Sequence, residues 1–557
     1  MLKTDPPPSL RQSMAWPHTW FGLVLGYVLM VCFFFGALSV FDREIDRWAI
    51  PASRFAPQPM PSFDRVLRPV FEGLQPSAES REYLQDKVKG PLPAHLDVVR
   101  SWSAYTTHRD PVLGIYATWE VPNAKDPDDA AWASRTIDPR TGAVLPEGRL
   151  KIGSDFFYPL HYSLHLEWKN LGYWIVGLAA LAMLAALVSG VVLHRRVLRE
   201  FFTFRPQKAA QRRTLDLHNL TGVLALPFHF FFAFTGLLIF AGIYFPVAET
   251  QLHPLHELHE KLEAQQTGLP KDRAGTAAPL ASVDAMVAQA QRLWAARGMA
   301  GEVGALSLTH VGDANGYVSI YRAGTDRVAL LGEAIHFRAS SGELIRQEPP
   351  HSAVESVSEF LTGLHLQHFR HWLLRWLYLL GGLMGCVCIA TGFVFFVEKR
   401  KKQHARAGGQ GSRVVDALAV TTVTGMLVAT LTILIANRLL PEALPQRGDV
   451  EQTIFWAGWA LAMAHAFVRS APVAQGKLNP AWREQCWAIA VLAPMAVLLN
   501  WLTTGDHLVK TVFTDTYWPV AGVDLALLAA AGLAAWAARW LGRRASPAPS
   551  RVKAAHA

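Results

Sequence analysis

Eight apolar stretches constrain this 557-residue chain more than any other feature: 19–40, 171–193, 217–243, 373–397, 415–437, 453–470, 485–503 and 517–541. A helix needs about 20 such residues to cross the hydrocarbon core of a bilayer, so the pattern predicts a polytopic α-helical membrane protein. Composition agrees, because 17% of residues are charged against about 25% in soluble domains. The net charge of +9 does not point to nucleic acid, since the basic residues sit in short blocks beside apolar runs. Cys32, Cys386, Cys388 and Cys486 lie in or beside those runs, which leaves neither a disulfide framework nor a zinc finger. The first run lacks a small-x-small exit and continues into Phe41-Asp-Arg-Glu-Ile-Asp46, so it reads as an anchor rather than a cleaved signal.

Basic loops orient the helices. Arg195, Arg196, Arg199, Arg205, Lys208, Arg212 and Arg213 crowd one loop, Lys399 to Lys402 follow the fourth run, and Arg543, Arg544, Arg551 and Lys553 mark the tail. Positive residues stay cytoplasmic, which places both termini inside and segments 41–165 and 246–368 outside. In a Gram-negative bacterium those two segments are periplasmic and the membrane is the inner one. Trp16, Trp20, Trp168, Trp174, Trp372 and Trp376 sit at run edges, as interfacial aromatics do.

The first four helices are a duplication. His18-Thr-Trp-Phe-Gly22 matches His218-Asn-Leu-Thr-Gly222, Gly36 matches Gly236, and Leu164-His-Leu166 matches Leu364-His-Leu366, all at an offset of 200 residues. Ser189-Gly190 matches Thr391-Gly392 at 202. Each half therefore runs helix, external segment, helix. The turns around Thr141-Gly142 and Ser341-Gly342, flanked by β-prone residues, read as hairpins. The expected organisation is a first repeat at 1–195 around an external domain at 41–165, a cytoplasmic loop at 196–216, and a second repeat at 217–402 around a domain at 246–368. Four further helices fill 413–542 and a cytoplasmic tail spans 543–557.

Histidines in or beside membrane helices are costly and mark function. His18, His194 and His218 fall near the cytoplasmic edge, His229 near mid-membrane, and His161, His165 and His365 at the outer edge. In one continuous helix His165 and His194 share a face, about 20° apart, and His229 stands roughly 16 Å beyond His218. Imidazoles stacked along facing helices suit b-type haem, whose iron takes one axial ligand from each of two helices. Gly22, Gly222 and Gly236 would admit a flat ring. His368 and His371 sit among polar and aromatic neighbours and read as interfacial. His253, His256 and His259 drift around a helix and read as a solvated face, with no HExxH among them, and His465 and His507 are isolated.

Ser189-Gly-Val-Val-Leu-His-Arg-Arg-Val-Leu-Arg-Glu-Phe-Phe-Thr-Phe-Arg-Pro206 resembles the PepSY-associated transmembrane family, as do Leu215-Asp-Leu-His-Asn-Leu-Thr-Gly-Val-Leu-Ala-Leu-Pro-Phe-His229, Ser13-Met-Ala-Trp-Pro-His-Thr-Trp20 and Leu374-Arg-Trp-Leu-Tyr378. The likeness covers about 1–402. It implies two small α+β PepSY-like periplasmic domains, haem b in the helical core, two haems in number, and electron transfer across the inner membrane to a ferric chelate. Candidate haem-binding residues are His18, His165, His194, His218, His229 and His365, with His165, His218, His229 and His365 as axial ligands of the iron. The repeat pairs His165 with His365 and His18 with His218, whereas the family stretches draw attention to His194, His218 and His229; the motif leaves the pairing open.

The expected function is an inner-membrane oxidoreductase that reduces ferric-siderophore iron in the periplasm with electrons from a cytoplasmic or membrane donor. Oxygen donors that grip Fe(III) hold Fe(II) less well, and no side chain need act as acid, base or nucleophile. One rival is a non-enzymatic PepSY protein that binds peptide or restrains a protease. Another is an iron or haem permease, disfavoured because the inner helical stretches carry almost no charged residues.

Overall fold

The computed structural model describes residues 9–106, 110–126, 128–146, 148–193, 204–245, 268–323, 328, 331–348, 352–367, 369 and 371–545. His194, His253, His256, His259 and His368 lie outside them. Two compact units emerge, one from residues 1–51, 148–240 and 374–557, the other from 52–147 and 241–373.

The first unit is a bundle of apolar helices. Its opening half holds α1 (Leu10–Val24), α2 (Gly26–Ser39), α3 (Asp42–Ala49), α4 (Tyr158–Tyr162), α5 (Leu171–Leu193), α6 (Ala210–Leu224) and α7 (Leu226–Ile239). The rest holds α8 (Trp372–Arg406), α9 (Gly411–Val420), α10 (Met426–Leu439), α11 (Arg447–Val468), α12 (Ala481–Thr504) and α13 (Trp518–Ala545). Five helices are long and apolar enough to cross a membrane alone, and α1–α2 and α6–α7 add two spans bent by 59° and 63°. The bends fall at Leu25 and Ala225, again 200 residues apart. At the second, Pro227 opens α7 and supplies no N–H to the preceding turn. Seven of the eight expected segments thus have a counterpart of sufficient hydropathy. The eighth, 453–470, lies in α11, whose Arg447, Glu451 and His465 dilute its apolar content.

The bend also corrects two sequence expectations. His218 and His229 lie on opposite sides of it, so a straight-helix rise does not separate them. His165 precedes α5 in a stretch where Leu164, His165, Lys169 and Asn170 all take positive φ, so no continuous helix joins it to His194.

The span Gly411–Leu439 is the axis of the bundle: 72% of its apolar window is buried, against 22–39% for the other unbroken spans. Phe455 of α11 packs on Phe35 and Phe156, and Tyr27 donates to the carbonyl of Val415 at 3.1 Å. One end of this half carries buried polar groups that pair with one another, as an apolar surround favours. Arg438 donates to the carbonyls of Trp48 and Ala49, both at 2.6 Å, and lies over the Trp48 ring. The Trp48 indole donates to Asp524, which Asn500 also holds. Arg447 and Glu451, both with fully buried side chains, pair at 3.2 Å, and Asn437 donates to Glu451 at 3.0 Å. Across the repeat, Arg375 of α8 bonds Glu44 and the Val40 carbonyl, each at 2.8 Å.

The second unit is a seven-stranded antiparallel sheet in the order β3-β2-β1-β4-β5-β6-β7. Strands β1 (Val99–Tyr105), β2 (Leu113–Glu120) and β3 (Ala130–Ile137) come from the first external segment. Strands β4 (Val303–Thr309), β5 (Tyr317–Ala323), β6 (Leu331–Arg338) and β7 (Leu344–Gln347) come from the second. Two separate domains were expected. The segments instead join through β1 and β4, with Ser103 opposite Ser307, so that two exposed edges are eliminated at once. A single core runs through both halves, including Phe63, Phe71 and Trp102 from one and Met286, Trp294 and Phe337 from the other. The halves also cap each other's helices: Asp64 accepts from Ser282, Val283 and Asp284, while Asp284 accepts from Ser62 and Phe63. Gly142 and Gly342 take positive φ in the two expected turns, where β6 and β7 form a hairpin and Ile137 bridges to Val144.

Removing one member of a buried ion pair strands the other charge. Glu451→Leu is expected to cost about 3–5 kcal/mol, read as a lowered thermal midpoint, with Arg447→Met added to it recovering most of the loss.

Candidate functional site

Four histidines converge in the helical unit, and the inner two show the duplication at atomic scale. His18 of α1 places Nδ1 3.0 Å from the carbonyl oxygen of Ala186 on α5. His218 of α6 places Nδ1 2.8 Å from that of Cys388 on α8. A carbonyl only accepts, so both rings carry a proton on Nδ1, and in that tautomer Nε2 is the unprotonated nitrogen. Each carbonyl also receives a hydroxyl three residues further on, from Ser189 at 3.1 Å and Thr391 at 2.9 Å. Gly190 and Gly392 complete the match. A Cβ there would stand 3.2 Å from the His18 ring and 3.5 Å from the His218 ring.

The two ring centres are 6.2 Å apart with their planes at 84°. A metal–imidazole bond of about 2 Å on each side, plus the ring radii, separates two trans imidazoles by roughly 6 Å. The centroid spacing is of the size that two imidazoles on one metal would have. Among the described residues no group of three or more His, Cys, Asp or Glu is arranged to hold a metal ion. A haem iron requires only two axial side chains.

A second pair lies further along the helices. His229 of α7 is 2% exposed, meets the Phe33 ring edge-on at 5.3 Å, and bonds the backbone of Gly381. Its Nε2 is buried with no hydrogen-bond partner, an arrangement that native interiors rarely leave unexplained. His161 of α4 places Nδ1 2.8 Å from the Cys32 carbonyl, the same anchoring mode as His18 and His218. Its ring fills the space opened by Gly36, where a Cβ would come within 2.6 Å of Nδ1. Cys32 and Phe33 are neighbours on α2, so one turn of that helix carries contacts to both imidazoles.

The remaining candidates are placed differently. His165 takes a left-handed φ, stacks on Phe156 at 4.9 Å, and donates Nε2–H to the Phe156 carbonyl at 2.9 Å. His365 falls in the second unit, in the last turn of the helix Ala353–Leu366. The duplicated Leu-His-Leu sequences thus adopt unlike local structures. Sequence reasoning set His161 at the outer edge without choosing it; the readable signal was Gly36, a small residue inside an apolar run.

Asp46, on α3 beyond the end of the first span, governs the approach to His161. Its Oδ1 accepts from the backbone N–H of Gly153 at 2.7 Å and of Ser154 at 3.2 Å, which fixes the turn leading into α4. Burial pushes its carboxyl up to about 7, against the opposing pull of Arg43 and with a smaller upward push from Asp42 and Asp155. The folded state thus binds this proton more tightly than the unfolded chain does. Its contribution to stability is full below the ordinary value of 3.8 and is lost as pH rises toward 7. Asp46→Asn keeps the acceptor and removes the titration. The difference in thermal midpoint between wild type and variant should therefore shift across that interval, with the wild type losing ground as pH rises; a flat difference would refute the assignment.

The repeat of bent and straight helices around a histidine pair, with a shared β-sheet unit inserted, defines a duplicated multi-pass membrane protein. This chain belongs to the family described as the PepSY-associated TM region, whose model matches residues 15–399. It is also 29% identical over 423 residues to an uncharacterized protein of Pseudomonas aeruginosa, covering 72% of this chain and 98% of that protein.

Proposed function

We propose that this protein is a haem-containing inner-membrane oxidoreductase that passes electrons across the membrane to ferric iron held by a siderophore in the periplasm. The observation that carries the reading is the His18–His218 pair: two duplicated imidazoles 6.2 Å apart, each anchored through Nδ1 to a backbone carbonyl. Such anchoring fixes the tautomer and the ring orientation and raises the basicity of the ligating nitrogen. Haem b bound there supplies one-electron chemistry between ferric and ferrous iron. The two imidazoles, which pack against Gly190 and Gly392, would hold the iron, and the apolar faces of α1, α5, α6 and α8 would exclude water.

His229 is assigned to a second haem, on the strength of its buried, unpartnered Nε2. As the second residue that would hold it, His161 is favoured over His165, because His161 is anchored through Nδ1 whereas His165 engages the Phe156 carbonyl through Nε2. The basic loops support cytoplasmic termini and hence a periplasmic β-sheet unit.

Two measurements test this. The purified protein should show a dithionite-reduced b-type spectrum, and acid–acetone should extract the pigment; a colourless preparation from haem-replete cells removes the reading and promotes the peptide-binding alternative. His18→Ala and His218→Ala should each lose one haem equivalent of two, and His229→Ala and His161→Ala the other, while His165→Ala keeps both. Loss of a haem in His165→Ala with full retention in His161→Ala would return the outer ligand to His165.

A further inference from the structure

The helix Ala353–Leu366 ends five residues before α8 begins, and it is amphipathic. At 100° per residue, Val354, Val357, Phe360, Leu361 and Leu364 fall within an arc of about 120°. Glu355, Ser358, Glu359 and Thr362 occupy the opposite side. The N-terminal part of the arc is uncovered, with Val354 80%, Val357 59% and Phe360 48% exposed, while Leu361 and Leu364 are half-buried. The helix is nonetheless well formed at both ends. Ser352 and Glu355 make a reciprocal capping box, and Gln367 closes the C-terminus in the left-handed conformation. An isolated helix of this length is marginal in water, and an apolar arc this exposed has no role there.

The other repeat shows what such a face requires. At the 200-residue offset, Phe157 corresponds to Val357 and Leu160 to Phe360, and both are 1% exposed. Phe157 packs on Phe35, and its neighbour Phe156 packs on Phe455 of α11. Protein covers this face in the first half of the molecule, and nothing among the described residues covers its counterpart.

We infer that Ala353–Leu366 is an interfacial helix that lies in the lipid surface, with the Val354–Val357–Phe360 arc inserted among the acyl chains and the Glu355–Glu359 side in water. Continuity with an established membrane segment supports lipid as the occupant. The chain enters α8 five residues later, at Trp372 and Trp376, which are exposed as interfacial anchors are. The polar side carries Glu355 and Glu359 and no Lys or Arg, so insertion rests on apolar area rather than attraction to anionic headgroups. His365, in the last turn of this helix, is thereby held at the level of the bilayer surface.

The test uses the full-length protein in nanodiscs of zwitterionic lipid. Val357→Cys and Glu355→Cys each carry a nitroxide, and the unsubstituted protein treated alike gives the background from the four native cysteines. Collision with oxygen, which concentrates in acyl chains, and with a water-soluble nickel chelate is then compared. The expected result is position 357 accessible to oxygen and protected from nickel, with position 355 the reverse. Equal nickel access at both positions would place the helix in water. Protection of position 357 from both relaxants would mean that protein, such as a second copy of this chain, covers the face. Either result overturns the inference. A nitroxide at Val354→Cys guards against label artefacts: in the inferred arrangement Val357→Ser/Phe360→Ser raises nickel access at position 354 at least several-fold, and unchanged access overturns the inference as well.

Discussion

A polar side chain inside an apolar helix bundle has no water to fall back on, and the structure follows from how each such group finds a partner. The inner histidines show the rule most economically. Each spends one ring nitrogen on the backbone carbonyl of a neighbouring helix, His18 on Ala186 and His218 on Cys388. That single bond ties α1 to α5 and α6 to α8 and sets the tautomer. Buried hydrogen-bonded groups in such a medium are strongly directional because the alternative is an unpaired dipole. The histidines therefore act as cross-braces of the bundle.

The same rule explains the helices beyond residue 399, where the family match ends. Their span Gly411–Leu439 is the most buried of the unbroken spans, and their polar residues reach into the first repeat through Arg438 to Trp48 and Trp48 to Asp524. They cover Trp48 of α3 and Phe156 of the turn before α4, whereas Val357 and Phe360 in the second repeat are exposed. The duplication is thus close at the inner histidines and broken at the other end. One half has acquired a protein neighbour, and the other keeps the amphipathic helix Ala353–Leu366. The β-sheet unit restores symmetry through β1 and β4 and the reciprocal caps of Asp64 and Asp284.

Much of this was legible in the linear order of residues. Apolar run length specified the spans, because bilayer thickness sets helix length independently of any tertiary contact. The 200-residue offset revealed the duplication and the equivalence of His18 with His218, and it held down to the bends at Leu25 and Ala225. Local turn chemistry placed Gly142 and Gly342 correctly, since positive φ is a property of the residue itself.

What the sequence by itself determined, then, is the membrane class, the repeat and the hairpins, all of which depend on composition, spacing or a single residue's backbone. Only the tertiary structure decided which histidines lie together. A ring nitrogen's role depends on the carbonyl it meets, and that carbonyl lies 168 residues away for His18, 170 for His218 and 129 for His161. Identical Leu-His-Leu sequences diverge, with His165 in a left-handed turn and His365 in a helix, so the local sequence alone does not set their backbone. The joining of two external segments into one sheet was equally invisible, because an edge strand reads the same whether or not a partner waits for it.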